Sequence, residues 1–163
     1  AIVIDHLINL GYDSSINSGF KKASDLGFKY AITIDADGQH NPTFIKKIIN
    51  EFENGADLVV GIRNKKQRFS EILFSLYTYL RWGINDPLCG FKGYKLSIFK
   101  ELGYFDKNKL IGTELMLFAL KKKYVISQTK INVKERIGKP KFGSLISSNF
   151  KIIRALIIAI LKY

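Results

Sequence analysis

YAITIDADGQHNPTFIKKIINEFENGADLVVG, Tyr30 to Gly61, is the stretch on which the fold turns. Tyr30 to Ile34 is a continuous apolar run, the pattern of a strand whose sheet is covered on both faces. It runs straight into two carboxylates, Asp35 and Asp37, and then into Gly38, Gln39, His40, Asn41 and Pro42. Asn41 suits a helix cap and Pro42 a first helical turn. Phe44, Ile45, Ile48, Ile49 and Phe52 recur at helical spacing and predict a buried stripe, closed by Asn54-Gly55. Asp57 to Gly61 reads as the next strand. Strand, helix, strand predicts a parallel α/β unit with a right-handed crossover. Ligands of such sheets bind beyond the carboxyl ends of the strands, which is where Asp35 and Asp37 fall. Unpaired acids inside the strand itself would be costly.

Outward from this unit the pattern stays α/β. Ala1 to Ile4 is an apolar run expected to form a short strand. Ser14 to Leu26 predicts a helix with Ile16, Phe20, Ala23 and Leu26 on one side, ended by Gly27. Arg63 to Arg68 is a basic loop, and Phe69 to Trp82 an aromatic-rich helix broken by Asn85-Asp86-Pro87. Leu96 to Leu102 and Thr113 to Lys123 predict further helices, and Val125 to Val133 a half-exposed strand. Ile137 to Gly143 is a second basic loop. In the tail, Phe150, Ile153, Leu156, Ile157, Ile160 and Leu161 line one helical face among Lys151, Arg154 and Lys162. Such a helix suits a membrane interface and is too short to span. The sequence shows no internal repeat.

Composition narrows the class. The chain has 163 residues and is 47% apolar, which excludes disorder and allows one domain with a real core. A single cysteine, Cys89, excludes an internal disulfide and a cysteine-based zinc site, and reads as a small buried hydrophobe. The formal net charge is +12. That excess suits anionic partners such as nucleic acid, phosphorylated small molecules or an anionic membrane face, or else a lysine-rich solvated surface. No secretory leader is visible, and no run reaches the roughly 18 apolar residues of a membrane span. The chain begins with Ala rather than Met, as a fragment or a processed product would.

Two acids one residue apart in a turn can both face a divalent cation. Mg²⁺ or Mn²⁺ takes oxygen ligands, commonly one or two carboxylates with phosphate oxygens and water. Gly38 lets the backbone approach, Gln39 offers an amide oxygen, and His40 offers a nitrogen acceptable to Mn²⁺. A helix-loop-helix calcium site is excluded, because its twelfth position needs Glu and Lys46 stands there. A plain turn at Asp37-Gly38 with Asn41 as cap is the other reading. Arg63, directly after a strand, suits a phosphate, whereas Lys65, Lys66 and Arg68 read as a solvated loop. Asp86 and Glu114 are candidate bases, or else a turn residue and a helix first-turn acid. His6 reads as structural.

NSGFKKASDLGFKYAITIDADGQHNP resembles the core of family 2 glycosyltransferases with the GT-A fold, most closely the polyprenyl-phosphate branch. VVGIRN, NDPLCGFKGYK and GTELMLFALKKKYVISQTKINVKERIGKPKFG resemble three later blocks of that family in the right order. The resemblance implies an α/β, Rossmann-like, mostly parallel sheet with flanking helices, N-terminally incomplete, since the family's opening Asn-Glu and Asp-Asp-Gly-Ser strands have no counterpart. It implies residues 1–143 as a partial GT-A core and 144–163 as an amphipathic membrane-interface helix or the start of a membrane segment. It implies Mg²⁺ or Mn²⁺ on Asp35, Asp37 and Gln39, holding the diphosphate of a nucleotide sugar, with Asp37 among the catalytic residues. Arg63 and, in the late block, Arg136, Lys139 and Lys141 would meet phosphates; Pro140 stands where the family usually has a small Ser.

The expectation is thus a metal-dependent inverting transferase moving a sugar to a polyprenyl phosphate at the cytoplasmic membrane face, with no nucleic-acid partner. A phosphate acceptor is already an anion and needs positioning and charge neutralisation rather than a base. A hydroxyl acceptor would require Asp86 or Glu114 as base. An inactive remnant or a basic binding module are the remaining alternatives.

Overall fold

The computed structural model describes residues 1–64, 68–134 and 145–163, so Arg136, Lys139 and Lys141 lie outside the described residues. Helix α1 (Tyr12–Asp25) leads into strand β1 (Tyr30–Thr33). A 3₁₀ turn (Pro42–Phe44) continues into α2 (Ile45–Glu53), and the Asn41 side chain caps it by accepting the Thr43 N–H at 3.0 Å. There follow β2 (Leu58–Arg63), α3 (Phe69–Trp82), β3 (Lys92–Lys95), α4 (Leu96–Leu102), α5 (Glu114–Lys121), β4 (Ile126–Ile131) and α6 (Leu145–Lys162). The expected strand at Ala1 to Ile4 does not form: these residues are exposed and irregular, because an apolar run without a partner strand leaves its backbone groups unpaired.

The sheet has the order β1-β3-β2-β4. β2 and β4 pair in parallel, while β3 pairs antiparallel with both β1 and β2. β1, β2 and β4 therefore point the same way, and β3 runs against them. β1 and β2 are parallel in direction but not adjacent, since β3 fills the gap between them. Read as part of a loop, β3 is the element the sequence pattern hides: Lys92-Gly93-Tyr94-Lys95 has no apolar run, yet its first three residues are buried. Gly93 is required there by space. A Cβ would overlap Ile48 and lie 2.7 Å from the Phe52 ring, so α2 could not seat on the sheet.

Apolar side chains fill both faces. On one, Phe20, Leu58, Phe74, Tyr94, Leu96 and Leu115 join α1, α3, α4 and α5 to the sheet. On the other, Ile48, Phe52, Val59, Phe91 and Ile131 join it to α2. α6 packs on α3 and sends Ile152, Ala155, Ala159 and Tyr163 into the first of these clusters. Its opposite face leaves Phe150, Ile153, Ile157, Ile160 and Leu161 exposed, with Leu156 half-buried. Among the described residues no helix is long and apolar enough to cross a membrane.

Candidate active site

Three chain segments meet at the carboxyl ends of β1 and β2: the loop 35–40 after β1, Arg63 ending β2, and the segment 85–92 that turns into β3. Because β3 runs antiparallel, its entry lies beside the exits of its neighbours. Thr33, the last residue of β1, stitches two of them together: its hydroxyl donates to Gly90 O at 2.6 Å and accepts the Lys92 N–H at 3.2 Å.

Asp35 and Asp37 are both half-buried at this edge. The backbone N–H of Gln39 donates to Asp37 Oδ1 at 3.1 Å, which closes the turn with Gly38 at φ 78°. His40 is buried, with its Nδ1 accepting the Asp35 N–H at 3.3 Å and lying 3.9 Å from Asp35 Oδ2. Burial holds the imidazole below its ordinary pKa, against the pull of Asp35 and Asp37, so the ring is neutral with its proton on Nε2. Its nitrogen thus positions the acid loop and does not serve as an outward ligand. Gln39 donates Nε2–H to Lys134 O at 3.3 Å, and its backbone carbonyl accepts the Lys134 N–H at 3.0 Å. An isolated bridge between His40 and Val133 completes this clasp between the acid loop and the chain beyond β4.

The donor groups carried by this loop are two carboxylates and an amide oxygen. Among the described residues no group of three histidine, cysteine or acidic side chains is placed to hold a metal ion by itself. That set fits Mg²⁺ or Mn²⁺ completed by phosphate oxygens and water, and does not fit a caged structural ion. Asp35, Asp37 and Gln39 are the residues that would hold it.

Arg63 and Asp86 come together, although 23 positions apart. The guanidinium grips Asp86 through Nε and Nη2, each at 2.8 Å, and the Arg63 N–H adds a bond of 3.0 Å to the same carboxylate. Nη2 also donates to Glu71 Oε2 at 3.0 Å, and Glu71 pairs in turn with Arg68 at 2.8 Å. Asp86 is fully buried. Burial opposes the charge on Arg63, but the hydrogen bonds and field of Asp86 more than offset it and raise its pKa. Glu71 is a residue that sequence reasoning missed; its one signal is an acid three positions after Arg68 in a helix first turn. Lys92, in the NDPLCGFKGYK block, has its side-chain nitrogen buried, donating to Gly112 O at 3.5 Å, and burial lowers its pKa.

Glu114 sits elsewhere, fully buried at the start of α5. It accepts from Lys162 Nζ at 2.6 Å, the Tyr163 hydroxyl at 3.0 Å, the N–H groups of Lys107 and Asn108 at 2.8 Å, and the Asn108 amide. Burial works to raise its pKa, but these donors outweigh it and hold the carboxyl at about 2. None of its partners belongs to the Asp35 loop or the Arg63–Asp86 pair. Cys89 is buried as expected, and His6 Nε2 lies 2.9 Å from the Ser18 hydroxyl.

Comparison with known proteins agrees with this architecture. The model of glycosyl transferase family 2 matches residues 1–116. Over 145 residues the chain is 32% identical to UDP-N-acetylglucosamine–dolichyl-phosphate N-acetylglucosaminyltransferase of Methanococcus voltae, covering 80% of this chain and 58% of that protein. It is 25% identical over 104 residues to polyprenol monophosphomannose synthase of Mycolicibacterium smegmatis, covering 56% of this chain and 39% of the relative. The chain therefore spans little more than half the length of the first of these relatives. Glucosyl-3-phosphoglycerate synthase of Mycobacterium tuberculosis, solved with Mn²⁺, UDP and phosphoglyceric acid, superposes with a TM-score of 0.71 at 16% identity, over 93% of this chain and 54% of that one. That likeness is one of fold and identifies the sheet and its helices as GT-A. With the family match extending over most of its length, the chain belongs to glycosyl transferase family 2.

Proposed function

We propose that this chain is the core of a metal-dependent inverting glycosyltransferase that moves a sugar from a nucleotide sugar to a polyprenyl phosphate. One observation carries the choice of acceptor: both carboxylates available as bases are already committed. Asp86 is clamped on Arg63, and Glu114 is surrounded by donors at the far end of α6. A hydroxyl acceptor would need one of them free to take a proton. A lipid phosphate needs neither, because it attacks as an anion and asks only for positioning and neutralisation. The Methanococcus and Mycolicibacterium relatives, whose names specify dolichyl phosphate and polyprenol monophosphomannose, support the same acceptor class.

In this reading Asp35, Asp37 and Gln39 hold Mg²⁺ or Mn²⁺, which supplies charge neutralisation for the departing nucleoside diphosphate. Asp86 and Glu71 hold the Arg63 guanidinium in place for a phosphate, making Asp86 a positioning residue. Arg136, Lys139 and Lys141 remain proposed phosphate contacts from outside the described residues. The acceptor oxygen attacks the anomeric carbon from the side opposite the leaving group. The exposed apolar faces of α3 (Phe69, Ile72, Leu76, Leu80) and α6, with Lys151 and Arg154, are proposed to rest on an anionic membrane at its cytoplasmic side.

The test is transfer by the full-length protein from UDP-N-acetylglucosamine and GDP-mannose to dolichyl phosphate and to a glycan, with and without Mn²⁺. Metal-dependent transfer to the lipid, lost in Asp37→Ala and lowered in Asp86→Asn mainly through KM for the acceptor, is expected. Transfer confined to the glycan, with kcat collapsing in Asp86→Asn, would replace this reading by the hydroxyl-acceptor one.

A further inference from the structure

The inner wall of the Asp35 carboxylate is neither a charge nor a hydrogen bond but the bare Cα of Gly90. A Cβ built on Gly90 would lie 3.0 Å from both Cγ and Oδ1 of Asp35, and closer still to Oδ2. Gly90 is not among the residues with positive φ, so its backbone does not call for glycine. Only the space taken by the Asp35 carboxylate does.

That wall cannot yield easily, because the segment 89–92 is fastened along both edges. On the β1 side, the Thr33 hydroxyl holds Gly90 O at 2.6 Å. On the β2 side, the Gly61 N–H donates to Phe91 O at 3.0 Å, and Gly61 itself lies so close that a Cβ there would be 2.7 Å from Phe91 O. Buried His40 stands by the same carboxylate, its Nδ1 3.9 Å from Asp35 Oδ2 and fixed by the Asp35 N–H. Asp35 thus lies against a ring and a main chain, and the side chain added at Gly90 would have to displace the carboxylate.

From this we infer that Gly90 is a positioning residue for Asp35: by lacking a side chain it sets the direction in which that carboxylate presents its oxygens to the cation. The inference rests on the metal-site reading above. Groups that orient a ligand from behind typically change metal affinity by about 10- to 100-fold when altered.

The experiment measures Mn²⁺ binding to the full-length protein by the EPR signal of free Mn²⁺, in the presence of UDP, for wild type, Gly90→Ala and Thr33→Val. Gly90→Ala is expected to weaken Mn²⁺ about tenfold or more, and Thr33→Val in the same direction by a smaller factor. Thermal unfolding of Gly90→Ala in wild-type and Asp35→Ala backgrounds supplies a second readout. The loss of Tm caused by Gly90→Ala should shrink when the Asp35 side chain is gone, even if Gly90→Ala alone does not fold. Unchanged Mn²⁺ affinity in a folded Gly90→Ala protein, or an equal Tm loss in both backgrounds, overturns the role of Gly90 while leaving the metal site standing. Absence of Mn²⁺ binding by the wild type removes the metal site itself.

Discussion

Asp106, in the loop before α5, and Glu114, the first residue of α5, have carboxyls pushed in opposite directions. Glu114 is held at about 2, below the ordinary range, so it contributes stability above that range and loses it as the pH falls toward about 2. At neutral pH Glu114→Gln should cost up to about 3 kcal/mol of unfolding free energy by urea titration, with the gap to wild type narrowing toward pH 2. Asp106 is raised to about 6, first by burial and then by Asp13 and Glu114, against the N–H groups of Leu110 and Gly112. The folded state therefore keeps the Asp106 proton longer than the unfolded chain does. This group's contribution to stability must fall as the pH rises from the ordinary carboxyl range through about 6. Urea titrations across that window should show this slope in wild type and lose it in Asp106→Asn.

Among the elements, α6 has two apolar faces with different work. The inward face sets two small residues between Ile152 and Tyr163: Ala155 and Ala159 are fully buried, which lets the helix lie close on α3. The Tyr77 hydroxyl donates to Ala159 O at 3.4 Å, Arg81 to Tyr163 O at 2.6 Å, and Ser70 to the Asn149 amide oxygen at 2.5 Å, fastening the pair along its length. Ala155→Leu inserts three heavy atoms where none fit and should cost about 1–3 kcal/mol, read from the denaturation midpoint. The element most at odds with its local sequence is β3. Its lysines and glycine carry no strand pattern, and its place between β1 and β2 comes from the gap that a crossover leaves and from Gly93 clearing α2.

At the scale of the whole molecule, a chain of net charge +12 carries apolar residues in the open on two adjoining helices. Leu80 and Leu161 are 76% and 82% exposed, so replacing them removes little packing within the fold. If these helices meet a membrane as proposed, Leu80→Glu with Leu161→Glu should abolish flotation with vesicles containing phosphatidylserine and leave Tm unchanged. Wild-type flotation should weaken with salt and with purely zwitterionic vesicles. Equal flotation of wild type and variant would place the contact elsewhere.

What the sequence determined by itself is local and periodic. The helices α1 and α2 announce themselves through the 3.6-residue recurrence of their apolar positions, and the acid loop through an apolar run that ends in Asp35 and Asp37, although the strand it forms, β1, is mostly half-buried rather than covered on both faces. Tertiary structure alone decided how those pieces meet. Thr33 binds Gly90 across 57 positions, Arg63 binds Asp86 across 23, and Glu114 binds Lys162 across 48. Such pairings leave no periodic trace, because each is made by the sheet bringing strand ends together and by helices closing over them. An acid that looks like a base in the sequence can therefore turn out to be the anchor of an arginine, and a glycine can owe its place to a carboxylate far away along the chain.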